Sequence, residues 1–111
     1  MKAKFLLLTE RNKREILEYM PENDIILKMS SFFQNFADCT RLRILTCLCM
    51  SEMCVNDLSN LLEINQTTVS HQLQILRSKK IVAYRRQGKI IIYSLKDKSI
   101  NDMMLSAVNN F

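Results

Sequence analysis

The residues best suited to chemistry in this chain are four cysteines and a single histidine. The cysteines are Cys39, Cys47, Cys49 and Cys54, and the histidine is His71. A thiolate can bind a thiophilic metal or metalloid ion, or it can be oxidised to a disulfide. One histidine does not supply both a base and a nucleophile, and one glycine cannot build a glycine-rich phosphate loop. We therefore expect a sensor or a binding protein and not an enzyme.

Two of the thiols lie where a helix is predicted to begin. Cys54 precedes a predicted short helix, and Cys39 follows Asp38, the predicted N-cap of another helix. Free N–H groups at a helix start stabilise a thiolate, although the carboxylate of Asp38 opposes this at Cys39. Cys47 and Cys49 are about 200° apart around one helix, so they do not readily bind one ion together. We expect Cys49 in the core, leave Cys47 open, and take Cys54 and Cys39 as candidate sensing thiols.

The basic residues are concentrated in one stretch of the chain. The 111 residues include 16 Lys or Arg and 11 Asp or Glu, which gives a net charge of +5. Residues 64 to 96 contain no carboxylate, but they contain Arg77, Lys79, Lys80, Arg85, Arg86, Lys89 and Lys96. Ordinary solvated faces usually mix both signs. The pattern favours a surface that meets nucleic-acid phosphates; the alternative is that these cations only keep the surface soluble.

The elements that must position these residues are predicted to be mainly helical. One Gly and one Pro leave few tight turns, and a 48% apolar content is enough for a core. Apolar spacing predicts helices over residues 9–20, 23–36, 38–49 and 66–79, a short helix through 58–62, and a last helix at 100–111. Thr9 is the predicted N-cap of the first helix. β-Branched and aromatic residues over 82–95 predict a β-hairpin between the last two helices, with Gly88 at its turn.

The helix over residues 66–79 has an apolar and a polar face. Val69, Leu73 and Leu76 form the inward stripe. A tight connection at Ile64 and Asn65 joins this helix to the preceding short one, and Asn65 is its predicted N-cap. Such a helix-turn-helix fits the DNA major groove, where amides and hydroxyls reach base edges. The predicted base contacts are Gln66, Thr67, Thr68, Ser70, His71 and Gln74. The predicted phosphate contacts are Arg77, Lys79, Arg85, Arg86 and Lys89.

Four segments match the motifs of a known family in order and spacing. They are Ala37–Leu45, Glu52–Leu58, Thr68–Leu73 and Tyr84–Lys89. Over about residues 24 to 110 the chain resembles the ArsR/SmtB winged-helix repressors. The resemblance implies a mainly α winged helix-turn-helix with a β-hairpin wing. It also implies a homodimer that binds an inverted-repeat operator in double-stranded DNA and releases it when an effector binds.

The predicted helices and the limits of the resemblance suggest a division of the chain, and the resemblance implies a dimer interface. Residues 1–22 would form an N-terminal helical arm, and residues 23–111 the DNA-binding and dimerisation domain. The family dimerises through the first and last helices of that domain, and apolar stripes on both suit this role. The predicted interface residues are Ile25, Met29, Phe32, Ile100, Met104 and Val108.

The match to the family is weaker at the sensor. Members bind metals through thiolates beside the short helix or through Asp and His on the last helix. Asp97 is present, but Ser99 and Asn110 stand where His is expected, so a zinc or nickel site there is not predicted. Cys54 occupies the first thiol position of the other motif, and Asn56 replaces the second. No cofactor is certain; the effector class left open is a thiophilic metal or metalloid ion, or an oxidant.

Three further features are interpreted on the sequence alone. Cys39 replaces a proline common in the family and is either a sensing thiol or a tolerated substitution. Glu63 replaces a common Gly between the two short helices, which costs about 1 kcal/mol in a left-handed conformation unless the connection takes another shape. The apolar run at residues 5–8 is too short for a signal peptide and no segment is long enough to span a bilayer, so we expect a cytoplasmic protein without membrane contact.

Two alternatives to an effector-controlled repressor stay open. The same fold could act as a protein-interaction module, in the manner of an antirepressor, without binding DNA. It could also be a DNA-binding regulator that responds to no effector. Binding driven by phosphates weakens steeply as salt rises, whereas an apolar protein interface does not, so salt dependence separates the first alternative from the repressor.

Overall fold

A computed structural model describes residues 5–111 of the chain. Its elements are α1 (Glu10–Tyr19), α2 (Asn23–Gln34), α3 (Cys39–Met50), α4 (Val55–Leu62), α5 (Gln66–Ser78), β1 (Val82–Gln87), β2 (Ile90–Leu95) and α6 (Lys98–Asn110). This is the predicted mainly helical chain with one β-hairpin. Residues 1–4, which belong to the predicted arm, lie outside the described residues. The contacts divide the chain into two units, with the division between Ser31 and Phe32.

The helices of the first unit are stabilised by local signals. Thr9 caps α1 as predicted, because its hydroxyl accepts a hydrogen bond from the backbone N–H of Asn12 at 3.1 Å. Arg11 and Glu15 form an ion pair one turn apart at 3.1 Å. Neither α1 nor α2 contains a fully buried residue, although Phe32 near the end of α2 packs against the core of the second unit.

The helix α2 ends two residues earlier than predicted. Three successive i to i+3 backbone bonds follow it: Asn35 to Phe32, Phe36 to Phe33, and Ala37 to Gln34, at 3.0 to 3.2 Å. Such tighter turns are common at helix ends. They bring the chain to Asp38, which caps α3 by accepting from the N–H of Arg41 at 2.9 Å.

The core of the second unit lies between α3, α4, α5, α6 and the base of the hairpin. The predicted inward stripe of α5 is confirmed, because Val69, Leu73 and Leu76 are fully buried. For α3 the apolar spacing predicts an inward face of Leu42, Leu45, Leu48 and Cys49, and this prediction is partly wrong. Leu42 is exposed and Ile44 is fully buried, so Ile44 faces the core together with Leu45 and Leu48.

Glu63, in the connection between α4 and α5, adopts the left-handed backbone conformation that is unfavourable for a residue other than glycine. Glu63 has φ 55° and ψ 45°, so the chain keeps the usual shape despite lacking glycine. The carbonyl of Ser59 accepts from the N–H of Ile64 at 3.1 Å and also from the N–H of Glu63, which closes the end of α4. Asn65 then caps α5 as predicted, accepting from the N–H of Thr67 at 2.7 Å.

The hairpin is antiparallel, with Val82 opposite Leu95 and Gln87 opposite Ile90. Gly88 lies at the turn with φ +63°, as predicted for a residue that must adopt a positive φ. Near the base, Tyr93 exchanges two backbone hydrogen bonds with Met53, at 2.8 and 3.2 Å. The junction between α3 and α4 is therefore attached to β2. None of the helices formed by residues 5–111 has the length and apolarity that a bilayer crossing requires.

Candidate nucleic-acid interface

The outward face of α5 presents a compact set of hydrogen-bonding side chains. Five of the six predicted base contacts line one open depression of about 470 Å³ together with Val55: Gln66, Thr67, Ser70, His71 and Gln74. The sixth, Thr68, is exposed beside it. These side chains carry amide, hydroxyl and imidazole groups, which can donate to and accept from base edges. The structure therefore brings the predicted reading residues onto one surface.

Contacts on three sides hold α5 in place. Its apolar stripe is buried in the core, and its first residue bonds to the neighbouring helix, because the amide of Gln66 donates to Asn56 at 3.0 Å. On the flank of α5, Arg41 of α3 donates to the side chain of Gln72 at 2.6 Å. The sequence reasoning did not find this last contact, because 31 residues separate its partners and no local spacing relates them.

The predicted phosphate contacts are all exposed, but two of them already have partners. Arg77, in the last turn of α5, stacks its guanidinium on the ring of Tyr84, 4.0 Å from the ring centroid. Such a cation–π contact contributes about 0.5–1 kcal/mol at an exposed site. It joins the end of α5 to β1. Lys79, Arg86 and Lys89 are exposed as well.

Arg85 forms an ion pair with Glu52, a residue of the junction between α3 and α4. Both side chains are about half exposed, so the pair contributes about 0–1 kcal/mol to stability. Residues 64 to 96 contain no carboxylate of their own, but the fold brings one to them from 33 residues away. Glu52 therefore reduces the positive charge of the hairpin, which the sequence reasoning did not anticipate.

The four cysteines are free thiols in different surroundings. Burial raises the pKa of the Cys47 thiol. Burial also raises the pKa of the Cys49 thiol, with a smaller contribution from the charge of Asp102. Cys49 packs at the edge of the core, and its thiol points to the carbonyl of Asn101 at 3.7 Å. Both groups are thus held as neutral thiols.

The two candidate sensing thiols do not come together. Cys54 is half-buried at the N-cap of α4 and lines a depression with Gln66 and Lys89. Cys39 is exposed and lines a different depression with Cys47. Among residues 5–111, no group of three His, Cys, Asp or Glu side chains is placed to hold a metal ion. Within the described part of the chain, Cys39 and Cys47 share a depression, and Cys54 lies in another.

The predicted dimerisation residues fall into two groups. Ile100 and Met104 are only 6% and 3% exposed because they fill the core of their own chain, so they have almost no surface left for a partner. Ile25, Met29 and Val108 are 42 to 51% exposed. Phe32 is partly buried and packs against the rings of Phe33 and Phe36.

Comparisons with known proteins agree with this arrangement. The family model described as "Bacterial regulatory protein, arsR family" matches residues 38–84. The transcriptional repressor SmtB homolog of Synechocystis sp. is 38% identical over 90 residues, which cover 81% of this chain and 68% of that protein. The cadmium resistance transcriptional regulatory protein CadC homolog of Staphylococcus aureus is 31% identical over 98 residues, 87% of this chain and 77% of that protein.

Solved structures match the fold at similar coverage. The solution structure of apo-NmtR superposes with a TM-score of 0.72 at 32% identity, covering 82% of this chain and 76% of that one. Reduced HlyU from Vibrio cholerae superposes with a TM-score of 0.73 at 26% identity, covering 79% and 93%. In both comparisons the matched region is most of the chain, so the likeness extends beyond the helix-turn-helix alone.

Proposed function

Because this chain belongs to the ArsR/SmtB family of winged-helix transcriptional regulators, we propose that it represses genes as a homodimer on an inverted-repeat operator. In this proposal α5 of each subunit enters the major groove, and the hairpin lies along the adjoining phosphates. An effector binds better to a dimer whose two α5 helices are wrongly spaced for successive grooves, and so releases the operator.

One observation carries this proposal: the outward face of α5 is polar, uncharged and open. Gln66 and Gln74 have amides that can pair bidentately with adenine, and Thr67, Thr68 and Ser70 have hydroxyls that suit several bases. A face built only to be soluble would not need this concentration of side chains that both donate and accept. His71 lines the same depression, and we assign it to DNA and not to a metal.

Phosphate binding is assigned to the cations around that face. Arg77 and Lys79 end α5, and Arg85, Arg86 and Lys89 extend along the hairpin. Each phosphate contact releases condensed counterions, so these residues supply affinity that depends on salt and not on sequence. The cytoplasm is the compartment that this role implies.

The dimer interface is assigned to the apolar residues that remain exposed. Ile25 and Met29 on α2 and Val108 on α6 each present apolar surface to solvent. Burying such surface between two copies would stabilise a dimer by about 25 cal/mol per Å². Ile100 and Met104 are left out, since they are already buried in their own chain.

Sensing is assigned to Cys54 first and to Cys39 second. Cys54 lies at the start of α4 and lines the same depression as Gln66, the first residue of α5, so a change at its sulfur acts next to the reading helix. Relatives are named for cadmium and arsenical resistance. The effector proposed for this chain is a thiophilic metal or metalloid ion, the kind in those names, or an oxidant that acts on the same thiol.

A gel-shift experiment tests the DNA-binding part. The probe is the region upstream of the protein's own operon, and the variant carries Arg85→Glu and Arg86→Glu. We expect the wild-type protein to shift the probe and the variant to lose the shift, because two attractive charges become repulsive. If the variant shifts the probe as well as the wild-type protein does, the assignment of the hairpin to phosphate binding is overturned. If the wild-type protein does not shift the probe even at low salt, a protein-interaction module is favoured.

Titration of the complex tests the sensing part. Arsenite, cadmium, zinc or a persulfide is added to the reduced protein on its operator, and release is followed by fluorescence anisotropy. We expect a thiophilic agent to release the wild-type protein and to release Cys54→Ser less readily. Release by none of them would favour a regulator without an effector.

A further inference from the structure

We propose that Arg41 is a positioning residue that fixes the rotation of α5 about its own axis, and with it the orientation of the base-reading face. This role rests on the operator binding proposed above. Its test must therefore distinguish a wrong role for Arg41 from a failure of the protein to bind an operator. No motif or spacing in the sequence assigned a role to Arg41, and its side chain does not lie among the predicted DNA contacts.

The main chain of Arg41 is fixed before its side chain acts. The residue lies in the first turn of α3, where its backbone N–H donates to the carboxylate of the N-cap Asp38 at 2.9 Å. The following turns of α3 carry Ile44, Leu45 and Leu48 into the core. The guanidinium therefore extends from a point that belongs to the rigid part of the second unit.

The guanidinium of Arg41 makes two contacts with different nitrogens. Its Nε donates to Oε1 of Gln72 on α5 at 2.6 Å. Its Nη1 reaches Oδ1 of Asn35 at 3.5 Å. Asn35 is itself buried, with 3% exposure, and its amide donates to the carbonyl of Phe32 at 3.0 Å. The contact with Asn35 orients the arginine, and the shorter contact then orients Gln72.

Gln72 is well placed to control how α5 is turned. It follows His71 on the reading face and precedes Leu73 on the buried stripe. The hydrophobic effect that buries that stripe is non-directional, whereas a charge-assisted hydrogen bond depends on direction. A rotation of about 10–20° is enough to displace recognition groups from productive geometry. The bond from Arg41 opposes that rotation.

An arginine suits this role better than a lysine. The guanidinium is planar and holds its donors at fixed angles, so Nε and Nη1 can address two acceptors at once. The single ammonium of a lysine lacks this fixed fork. We therefore expect Arg41→Lys to keep the charge and still lose much of the positioning.

The competing explanation is that Arg41 binds a DNA phosphate directly. The two explanations differ in what they predict for salt dependence. Loss of a phosphate contact weakens binding to every duplex and lowers the slope of log affinity against log salt by about one. Loss of positioning weakens binding to the operator only and leaves that slope unchanged.

The experiment is a double-mutant cycle of Arg41→Met and Gln72→Leu, measured by fluorescence anisotropy on the operator and on an unrelated duplex over a series of salt concentrations. We expect each single variant to lose about tenfold in operator affinity, and the double variant to lose no more than either, because both remove the same bond. Affinity for the unrelated duplex and the salt slope stay at the wild-type values.

Arg43→Met is the matched control, because it removes one exposed positive charge from the same helix. It is expected to keep operator affinity. Circular dichroism shows whether each variant is folded. If Arg41→Met does not fold, Gln72→Leu still tests the hydrogen bond between the two side chains. Additive losses, or a lower salt slope for Arg41→Met, would overturn the positioning role. Failure of the wild-type protein to distinguish the operator from the unrelated duplex would instead overturn the proposed function.

Discussion

The reading face of α5 and the hairpin differ in charge and in how they are held. The face of α5 presents uncharged hydrogen-bonding groups from a helix whose other side is fully buried. The hairpin presents guanidinium and ammonium groups from two strands whose tip is exposed. Base recognition needs exact placement, whereas attraction to phosphates acts over a longer range. In the proposed function, α5 therefore supplies specificity and the exposed hairpin supplies affinity.

The attachments of the two elements agree with this division. α5 is held by the core, by the bond from Gln66 to Asn56, and by the bond from Arg41 to Gln72. The hairpin is held at its base, where Val82 and Tyr93 are buried, and its residues from Tyr84 to Ile90 are exposed. Substitutions on the two elements should therefore have different signatures.

The largest expected effect is on operator recognition by α5. The double variant His71→Ala and Gln74→Ala removes two groups at the centre of the reading face. Each good base contact discriminates by about 1–3 kcal/mol, so we expect operator affinity to fall roughly 100-fold. Binding to an unrelated duplex should stay within about twofold of wild type, because phosphate contacts are intact. Equal losses on both duplexes in an anisotropy titration would remove the distinction between the two elements.

The next largest effect is on general affinity and comes from the hairpin. The double variant Arg86→Gln and Lys89→Gln removes two predicted phosphate contacts. We expect roughly 50-fold weaker binding at about 0.1 M salt, on the operator and on an unrelated duplex alike, and a salt slope that falls by about two. The same salt series on both duplexes measures this. A loss confined to the operator would show that the hairpin reads sequence as well.

A smaller effect of opposite sign is expected at Glu52. This carboxylate pairs with Arg85 and competes with phosphate for the same guanidinium. Glu52→Gln should therefore raise affinity for both duplexes by roughly two- to fivefold, since an exposed pair is worth about 0–1 kcal/mol. Glu63→Gln removes the same charge from another exposed position and is the matched control. Equal gains from both variants would mean that net charge, and not release of Arg85, is responsible.

The smallest expected effect concerns thiols outside both elements. Burial raises the pKa of the Cys47 thiol above its ordinary value of 9.0. The folded state therefore favours the neutral thiol, and this contribution to stability is complete below pH 9.0 and is lost as the pH rises through the raised value. We expect the free energy of unfolding, measured in urea, to fall less steeply above pH 9.0 in Cys47→Ala than in wild type. If the free energy of unfolding falls equally steeply with pH in both proteins, the raised pKa of Cys47 is contradicted.

Much of the fold and of the reading face follows from local signals in the sequence. Asn65 caps α5, Val69 and Leu73 are buried, and Gly88 turns the hairpin, each as predicted. These features depend on residues close in the chain: a cap, a helical period and a positive φ. The polar face of α5 then follows from which residues the buried stripe leaves outside.

The features that were not predicted depend on distant parts of the chain. In α3, apolar residues and cysteines surround most of the helix, so the period does not decide between Leu42 and Ile44 as the inward residue. The stripe on α6 is evident, but the sequence does not say whether Ile100 meets its own core or a second copy. The contacts of Glu52 and Arg41 join residues more than 30 positions apart.

The two backbone bonds between Met53 and Tyr93 have a consequence for signalling. Met53 directly precedes Cys54, and Tyr93 lies in β2, so a single peptide unit separates the thiol from the anchorage of the hairpin. A backbone shift at Cys54 that reaches Met53 acts directly on these bonds and on the root of β2. In the proposed function, a chemical event at that sulfur therefore has a route one residue long to the strands assigned to phosphate binding.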